Sequence, residues 1–476
     1  MKKTLSVIII SFALNMLMAS SLSAQYIALP VPTPCFFTPF LRLPSYCQSC
    51  QSAPKPDVSN RAVTWTVNTI NDPAEWDESD AIISLREAIS RAAAGDTIIF
   101  NCSLADKTIT LSGTEISIDK GIKIDATSVG GMTIDANSNS RVFNITGGTE
   151  ESPVELIGLT VTGGIGDYFG GGVKNFQSVT SLKKCIIKGN KDRYAGGGIG
   201  NFPNSTLTLT DCLIKGNHAD SGGGIFSHGS LSLTRCTITD NTARVGGGID
   251  FCEAGVNNGY EESVLLMDYC NVSANTANIA GGIFCVYAHG AVISNSVIFG
   301  NMADSEVGGI DNVNGSDLKL INCTVAGNAA TKVGGIRGGL VLINSIVAAN
   351  YAETNPDGDG NDESHNNIIG YDPGFKETPV FESGRLTNFD TIDLSLTSTS
   401  AAIDQGDNSA VSVETDYAGN PRIVALRKAE PTVDLGAYEY QIRRRGTACR
   451  AVDSDGKSRC FRSLRCGPPS DSMEHR

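Results

Sequence analysis

TLTLTDCLIKGNHADSGGGIFSHGSLSLTRCTITDNTARVGGGI, residues 206–249, decides the fold. It is one short unit written twice. Leu207 and Leu209 alternate with threonines, and Leu231 and Leu233 alternate with Ser232 and Thr234. Cys212 is followed by Ile214 and Asn217, and Cys236 by Ile238 and Asn241. Gly223-Gly224-Ile225 closes the first copy and Gly247-Gly248-Ile249 the second. Period-two alternation marks half-buried strands, and no helical spacing interrupts it. Each copy is too short to bury its own apolar side chains, so the copies must stack.

The unit continues in both directions. The pattern Cys/Ser-x-Ile/Val-x-x-Asn starts at Cys185, Cys212, Cys236, Cys270, Ser296, Cys323 and Ser345. It ends at Asn190, Asn217, Asn241, Asn275, Asn301, Asn328 and Asn350. A degenerate copy precedes these, with Leu159, Val161 and Gly164 in the matching places. The copies recur at roughly 22- to 34-residue spacing. Strands that pair with their equivalents one turn away, about 4.8 Å off, form a parallel β-helix. The expected fold is therefore all-β, a single-stranded right-handed parallel β-helix over residues 156–350, the hand following from the preference of parallel crossovers.

Each constant position has a structural explanation. Asn tolerates the left-handed region at a corner, and stacked amides can form a ladder worth about 0.5–1.5 kcal/mol per bond. The seven asparagines are thus a structural ladder. Gly-Gly supplies positive φ or tight packing. The Cys/Ser column reads as a small, inward-facing slot filled by thiols, with poor geometry for a disulfide ladder and no tetrahedral closure for a metal. Cys252 and Cys285, just after Gly-Gly-Ile in adjacent coils, are better placed for a disulfide.

The flanks differ. Lys2 and Lys3, an apolar stretch from Leu5 to Met18 and small residues up to Ala24 read as a signal peptide, 1–24. Residues 25–60 form a Pro- and Cys-rich linker with Cys47-Gln-Ser-Cys50, best read as a local disulfide or idle thiols. In 61–155, Ser84-Leu85-Arg86-Glu87 fits a capping box that opens a short helix, expected to cap the first coils. Residues 351–441 are expected to hold the last coils and a C-terminal cap. Residues 442–476 form a basic tail. The 52 glycines and 18% charged residues suit tight turns and short strands. A formal net charge of −14 argues against a general nucleic-acid binder. Export makes disulfides possible for the 14 cysteines.

The paired Gly-Gly-x-Ile and Ile-x-x-Asn signatures resemble the repeats of chlamydial polymorphic outer-membrane proteins and, more broadly, pectate-lyase-like β-helices. Where the chlamydial repeats carry Phe, this chain has Ile or Val. Ser84-Leu-Arg-Glu-Ala-Ile89 resembles a motif at the start of secreted β-helix proteins, with Ile83 where those have Cys. Asn367-Ile-Ile-Gly370, Asp372-Pro-Gly-Phe375, Ser400-Ala-Ala-Ile-Asp404-Gln-Gly406, Asp416-Tyr-Ala-Gly-Asn-Pro-Arg422 and Val433-Asp-Leu-Gly-Ala-Tyr-Glu-Tyr440 resemble a closing module found ahead of variable cell-surface anchors. The resemblance implies an exported protein, extracellular or associated with the outer membrane, touching a membrane only through an anchor or such an association.

No catalytic, cofactor-binding or metal-binding residue is assigned. The paired Asp, Gly-His-Gly and Arg-Ile-Lys patterns of polygalacturonases are missing; Ser227-His228-Gly229 is the nearest approach and reads as a surface turn. The loop Asp357-Gly-Asp-Gly-Asn-Asp-Glu363 offers oxygen ligands for Ca²⁺, but departs from the EF-hand spacing and reads better as a solvated acidic loop. Function is sought where the repeat is broken. The insertion 252–263 carries Tyr260, Glu261 and Glu262. Tyr168 and Tyr194 precede glycine corners and are expected to face solvent, whereas Phe176 and Phe202, at matched positions, are expected to stack. Tyr168, Tyr194, Tyr260 and Glu261 form the expected ligand surface. The leading expectation is a monomeric binding protein for glycans or surface proteins. The alternative is a polysaccharide lyase or glycoside hydrolase acting on an acidic polysaccharide.

Overall fold

Three long parallel sheets wind around one core in the computed structural model, which describes residues 62–441 except 78, 253–262, 289, 315–317, 359–362 and 425–429. The first sheet has eleven strands, from Thr64–Val67 to Val341–Ile343. The second has eleven, from Thr108–Thr110 to Ile368–Ile369, and the third nine, from Ile116–Ile118 to Ile336–Arg337. Every neighbour in these sheets is the equivalent strand one coil away. Leu207 thus pairs with Leu231, Ile214 with Ile238 and Ile225 with Ile249. The alternation seen in the sequence becomes columns of buried aliphatic side chains, such as Leu207 with Leu231 and Ile214 with Ile238. Among the described residues no helix is long and apolar enough to cross a membrane.

The one described α-helix, α1, spans Leu85–Arg91. Ser84 Oγ accepts from Glu87 N, as a cap requires. Glu87 does not reach back: its carboxylate lies 2.8 Å from the Arg91 guanidinium, one turn on. Leu85, Ala88 and Ile89 join the core beside Val67 and Ile98.

The asparagine column is continuous. Each amide donates to the next side-chain oxygen, from Asn190 to Asn217 (3.1 Å) through to Asn328 and Asn350 (2.9 Å). Its second hydrogen goes to a main-chain carbonyl one coil back, such as Ile187 O for Asn217. The ladder has a direction. Gly164 N donates into Asn190 at one end, and Asn350 donates to Asp357 at the other, through both N and Nδ2. A terminal rung needs only to accept, and a carboxylate only accepts. Asp357, read from sequence as part of a solvated acidic loop with oxygen ligands for Ca²⁺, is thus the last rung; Asp359, Asn361 and Asp362 lie outside the described residues.

These asparagines are not left-handed, contrary to expectation. The residue before each one is: Gly216 at φ 62°, Asp240 at 55° and Ala274 at 53°. A second left-handed column precedes the thiols, with Lys184, Asp211, Arg235, Tyr269, Asn295, Asn322 and Asn344 at φ between 46° and 54°. The turn from first to second sheet requires that conformation whatever the side chain, so the stack overrides a cost of about 1–2 kcal/mol per residue. Gly-Gly is a packing device. A Cβ on Gly198 would lie 2.6 Å from the Gly224 carbonyl oxygen and 3.0 Å from Asn217 Nδ2. The glycine pair and the asparagine are two halves of one corner.

Cys185, Cys212, Cys236, Cys270 and Cys323 are buried free thiols. Ser296 Oγ, in the same column, accepts from Cys270 N. Cys252 and Cys285 are one place out of register: Cys252 pairs with Val286, and Phe251 with Cys285. Their side chains therefore point to opposite faces, which disfavours a bond between them.

The C-terminal segment does not simply prolong the stack. Ile368–Ile369 is the last strand of the second sheet. Beyond it the chain folds back along the outside of that sheet. The physical reason is a change in the outward positions. In register, Lys188, Lys215, Thr239 and Ser273 give way to Phe299, Ala326 and Ala348. Phe375, Leu394, Leu396, Ile403 and Leu435 cover that apolar strip. Arg422 is fully buried at the seam, with Nη1 3.3 Å from Glu439 Oε1 and Nη2 donating to Asn295 Oδ1 at 2.9 Å. Asp434 accepts from Asp404 N and Tyr440 N, and Asp416 from Asn420 N and Glu439 N. Arg422 thus docks the segment on the coils, and Asp434 and Asp416 brace the segment internally.

Candidate ligand groove

After each ladder asparagine the chain runs extended for a few residues before reaching the glycine corner. These short stretches stack as well. Ile165, Lys191, His218, Thr242, Thr276 and Met302 follow one another in parallel register. The next position is small and turned inward, as at Gly166, Ala219 and Ala277. The third position is again exposed: Asp167, Arg193, Asp220, Arg244, Asn278 and Asp304. Two raised polar rows thus flank a floor of small residues. They enclose a groove of about 630 Å³ running along the rod. Five coil steps give it a length of about 24 Å.

The side chains are held in place. His218 Nδ1 lies 2.8 Å from Thr242 Oγ1. Arg244 grips Asp220 with two bonds, at 2.8 and 2.9 Å. Asp192 interrupts the small floor. Burial pushes its carboxyl up from the ordinary range, and Oδ1 accepts from Tyr194 N and Ala195 N at 2.7 and 3.0 Å. That bonding fixes the loop bearing Tyr194.

Tyr168 and Tyr194, two coils' equivalents, stack on each other directly after the lining residues Asp167 and Arg193 of the first two coils, with centroids 4.9 Å apart and planes 22° apart. They are 63% and 40% exposed, so the pair is a ledge and not core. The Arg193 guanidinium lies 5.4 Å from the Tyr194 ring. Arg141 anchors the other loop: Nη2 donates to Tyr168 O, Nε to Gly170 O, and Nη1 meets Glu115 at 2.6 Å.

Of the residues singled out in the sequence, Tyr168 and Tyr194 come together. Tyr260 and Glu261 lie outside the described residues. Phe176 and Phe202 stack edge to face at 5.2 Å, in a half-buried strip with Phe169, Phe226 and His228 on the third sheet. Burial pushes His228 down to about 4, so its imidazole is neutral. Sequence reading took His218 for an isolated histidine and passed over Lys191, Arg193, Asp220 and Arg244. A signal existed: these are the first and third residues after each asparagine, and they change type from coil to coil while the asparagine stays. Chemically, the groove offers hydroxyl, imidazole, ammonium, guanidinium and carboxylate groups to an elongated polar ligand. Among the described residues no grouping of three or more His, Cys, Asp or Glu is arranged to hold a metal ion.

No protein-family profile matches the chain, and no curated protein does. Among solved structures, the crystal structure of pectate lyase Pel9A is similar at TM-score 0.53 and 17% identity, covering 80% of this chain and 96% of that one. This likeness shows a shared parallel β-helix fold. ORF18 of Geobacillus virus E2 aligns over 67% of this chain and 65% of its own, at TM-score 0.24 and 11% identity, too low for a shared fold.

Proposed function

We propose that this is an exported, surface-associated protein that binds an extended glycan along the groove between residues 165 and 304. The observation that carries the reading is the ledge of exposed, stacked tyrosines that follows the first two coils of a polar channel about 24 Å long. Aromatic faces with a few fixed polar groups are typical of small-molecule and sugar sites. The signal-peptide pattern, the resemblance to outer-membrane-protein repeats and the closing module support export and display at the cell surface. A regular wall whose loops differ from coil to coil suits ligands longer than one sugar. The test is direct binding of the full chain to an oligosaccharide panel. Glycan retention that weakens in Tyr168→Ala and Tyr194→Ala supports the reading, and a blank panel removes it.

A second reading, a polysaccharide lyase or hydrolase, is favoured by one observation. Lys191 and His218 share the groove with Asp167 and Asp220, so acid and base groups line one channel. The pectate lyase neighbour fits this alternative loosely. Release of unsaturated or reducing ends from a polysaccharide panel, lost in Lys191→Met or His218→Ala, would establish it.

A further inference from the structure

The charges around the groove alternate in sign, and one opposite pair is bonded. In the outer row Asp167, Arg193, Asp220 and Arg244 alternate in sign along successive coils, and Asp304 adds another carboxylate beyond Asn278. Arg244 is committed to Asp220 through two bonds, and Arg193 lies over the Tyr194 ring. With Lys191, three cations face three exposed carboxylates. A polyanion laid here would meet a carboxylate on three of the six coils, and at Arg244 a guanidinium whose charge Asp220 already offsets. The chain as a whole carries −14, which adds repulsion at low salt. A hydroxyl-rich polymer meets no such penalty: it can donate to Asp167 and Asp304, accept from Lys191, and exchange bonds with Thr242 and Thr276. The small floor at Ala219, Ala243 and Ala277 lets a flat ring approach the backbone.

Resting on the glycan reading above, we infer that the ligand is an uncharged glycan and not a polyuronide or sulfated chain. The groove selects against anions by alternating its own charges, and the tyrosine ledge supplies the contact that needs no charge.

The experiment is calorimetry on the full chain with neutral hexasaccharides (glucan, mannan, xylan) and with oligogalacturonate, at low and high salt. The expected result is binding of a neutral chain that changes less than about twofold with salt and falls about tenfold in Tyr194→Ala. A second arm uses Asp220→Asn with Asp304→Asn, both at exposed positions. Freeing Arg244 and removing two negative charges should create salt-sensitive oligogalacturonate binding absent from the parent. Oligogalacturonate binding by the parent overturns the inference and leaves the glycan reading intact. So does a double variant that gains no such binding. If no glycan of either class binds, both fall.

Discussion

Asn217→Leu isolates the ladder, because leucine keeps the branching of asparagine and removes only its hydrogen bonds. Asn217 is buried and makes four bonds. It donates to Ile187 O at 2.9 Å and Asn241 Oδ1 at 3.0 Å, and accepts from Asn190 N at 3.0 Å and Asn190 Nδ2 at 3.1 Å. Asn241 Oδ1 keeps the bond from Asn217 N, so it stays satisfied. Two buried donors lose their partner, Asn190 N and one Asn190 Nδ2 hydrogen, whereas Ile187 O keeps its place in the sheet ladder with the next coil. Each such loss costs about 1–3 kcal/mol, and burying leucine in place of an amide returns about 2, leaving about 2 kcal/mol of destabilisation. Urea unfolding followed by far-UV circular dichroism measures it. Asn350→Leu is the internal comparison, since Asn350 is 8% exposed and stands one rung from the ladder's end. There the orphaned Asn328 Nδ2 has a further acceptor in Ala326 O, 3.2 Å away, and the cost should be smaller. A loss under about 1 kcal/mol for Asn217→Leu, or equal losses at the two sites, would refute the ladder as a source of stability.

Gly198→Ala should destabilise more than Gly216→Ala in the same assay. The new methyl at Gly198 would meet the Gly224 carbonyl at 2.6 Å, whereas Gly216, at φ 62°, has nothing within 4 Å and bears only a conformational cost of about 1 kcal/mol. Burial pushes the Asp250 carboxyl up to about 7, so the native state keeps a proton that the unfolded chain releases near pH 4. Stability should therefore fall as pH rises from about 4 to about 7, and Asp250→Asn should flatten part of that slope, by on the order of 2–4 kcal/mol between pH 4 and pH 8. Arg422→Met removes the guanidinium that faces Glu439 and Asn295 at the seam; burial pushes the Glu439 carboxyl up to about 9, so the loss is that of buried hydrogen bonds, about 1–3 kcal/mol. Limited proteolysis should then cut within 372–441 before it cuts the coils, and an unchanged digestion pattern would argue against the seam.

Much of this fold is readable from a single unit of sequence. The strand pairings between Leu207 and Leu231 or Ile214 and Ile238 follow from matching positions in consecutive copies. So does the asparagine column. Which backbone carries the left-handed turn was not readable in the same way, because Lys184, Asp211, Arg235 and Tyr269 share no side-chain chemistry. Only the geometry of the corner selects that conformation, and neighbouring coils hold it. The docking of the closing segment was half visible. The change from Lys188 and Lys215 to Phe299 and Ala348 is written in the chain, but it says only that something covers that face.

The groove lies furthest from the sequence. Tyr168 and Tyr194 stood out as aromatics beside glycine corners, yet nothing local pairs them with Lys191, His218 or Arg244. A repeat determines by itself what every coil has in common, since identical neighbours impose identical contacts, and here that is the stack with its Asn, Cys/Ser and Gly-Gly columns. What differs between coils acquires meaning only when stacking sets residues about 25 positions apart side by side, about 4.8 Å from one another. The tyrosine ledge, the alternating charges and the seam at Arg422 all belong to that second kind, and the tertiary structure alone decided them.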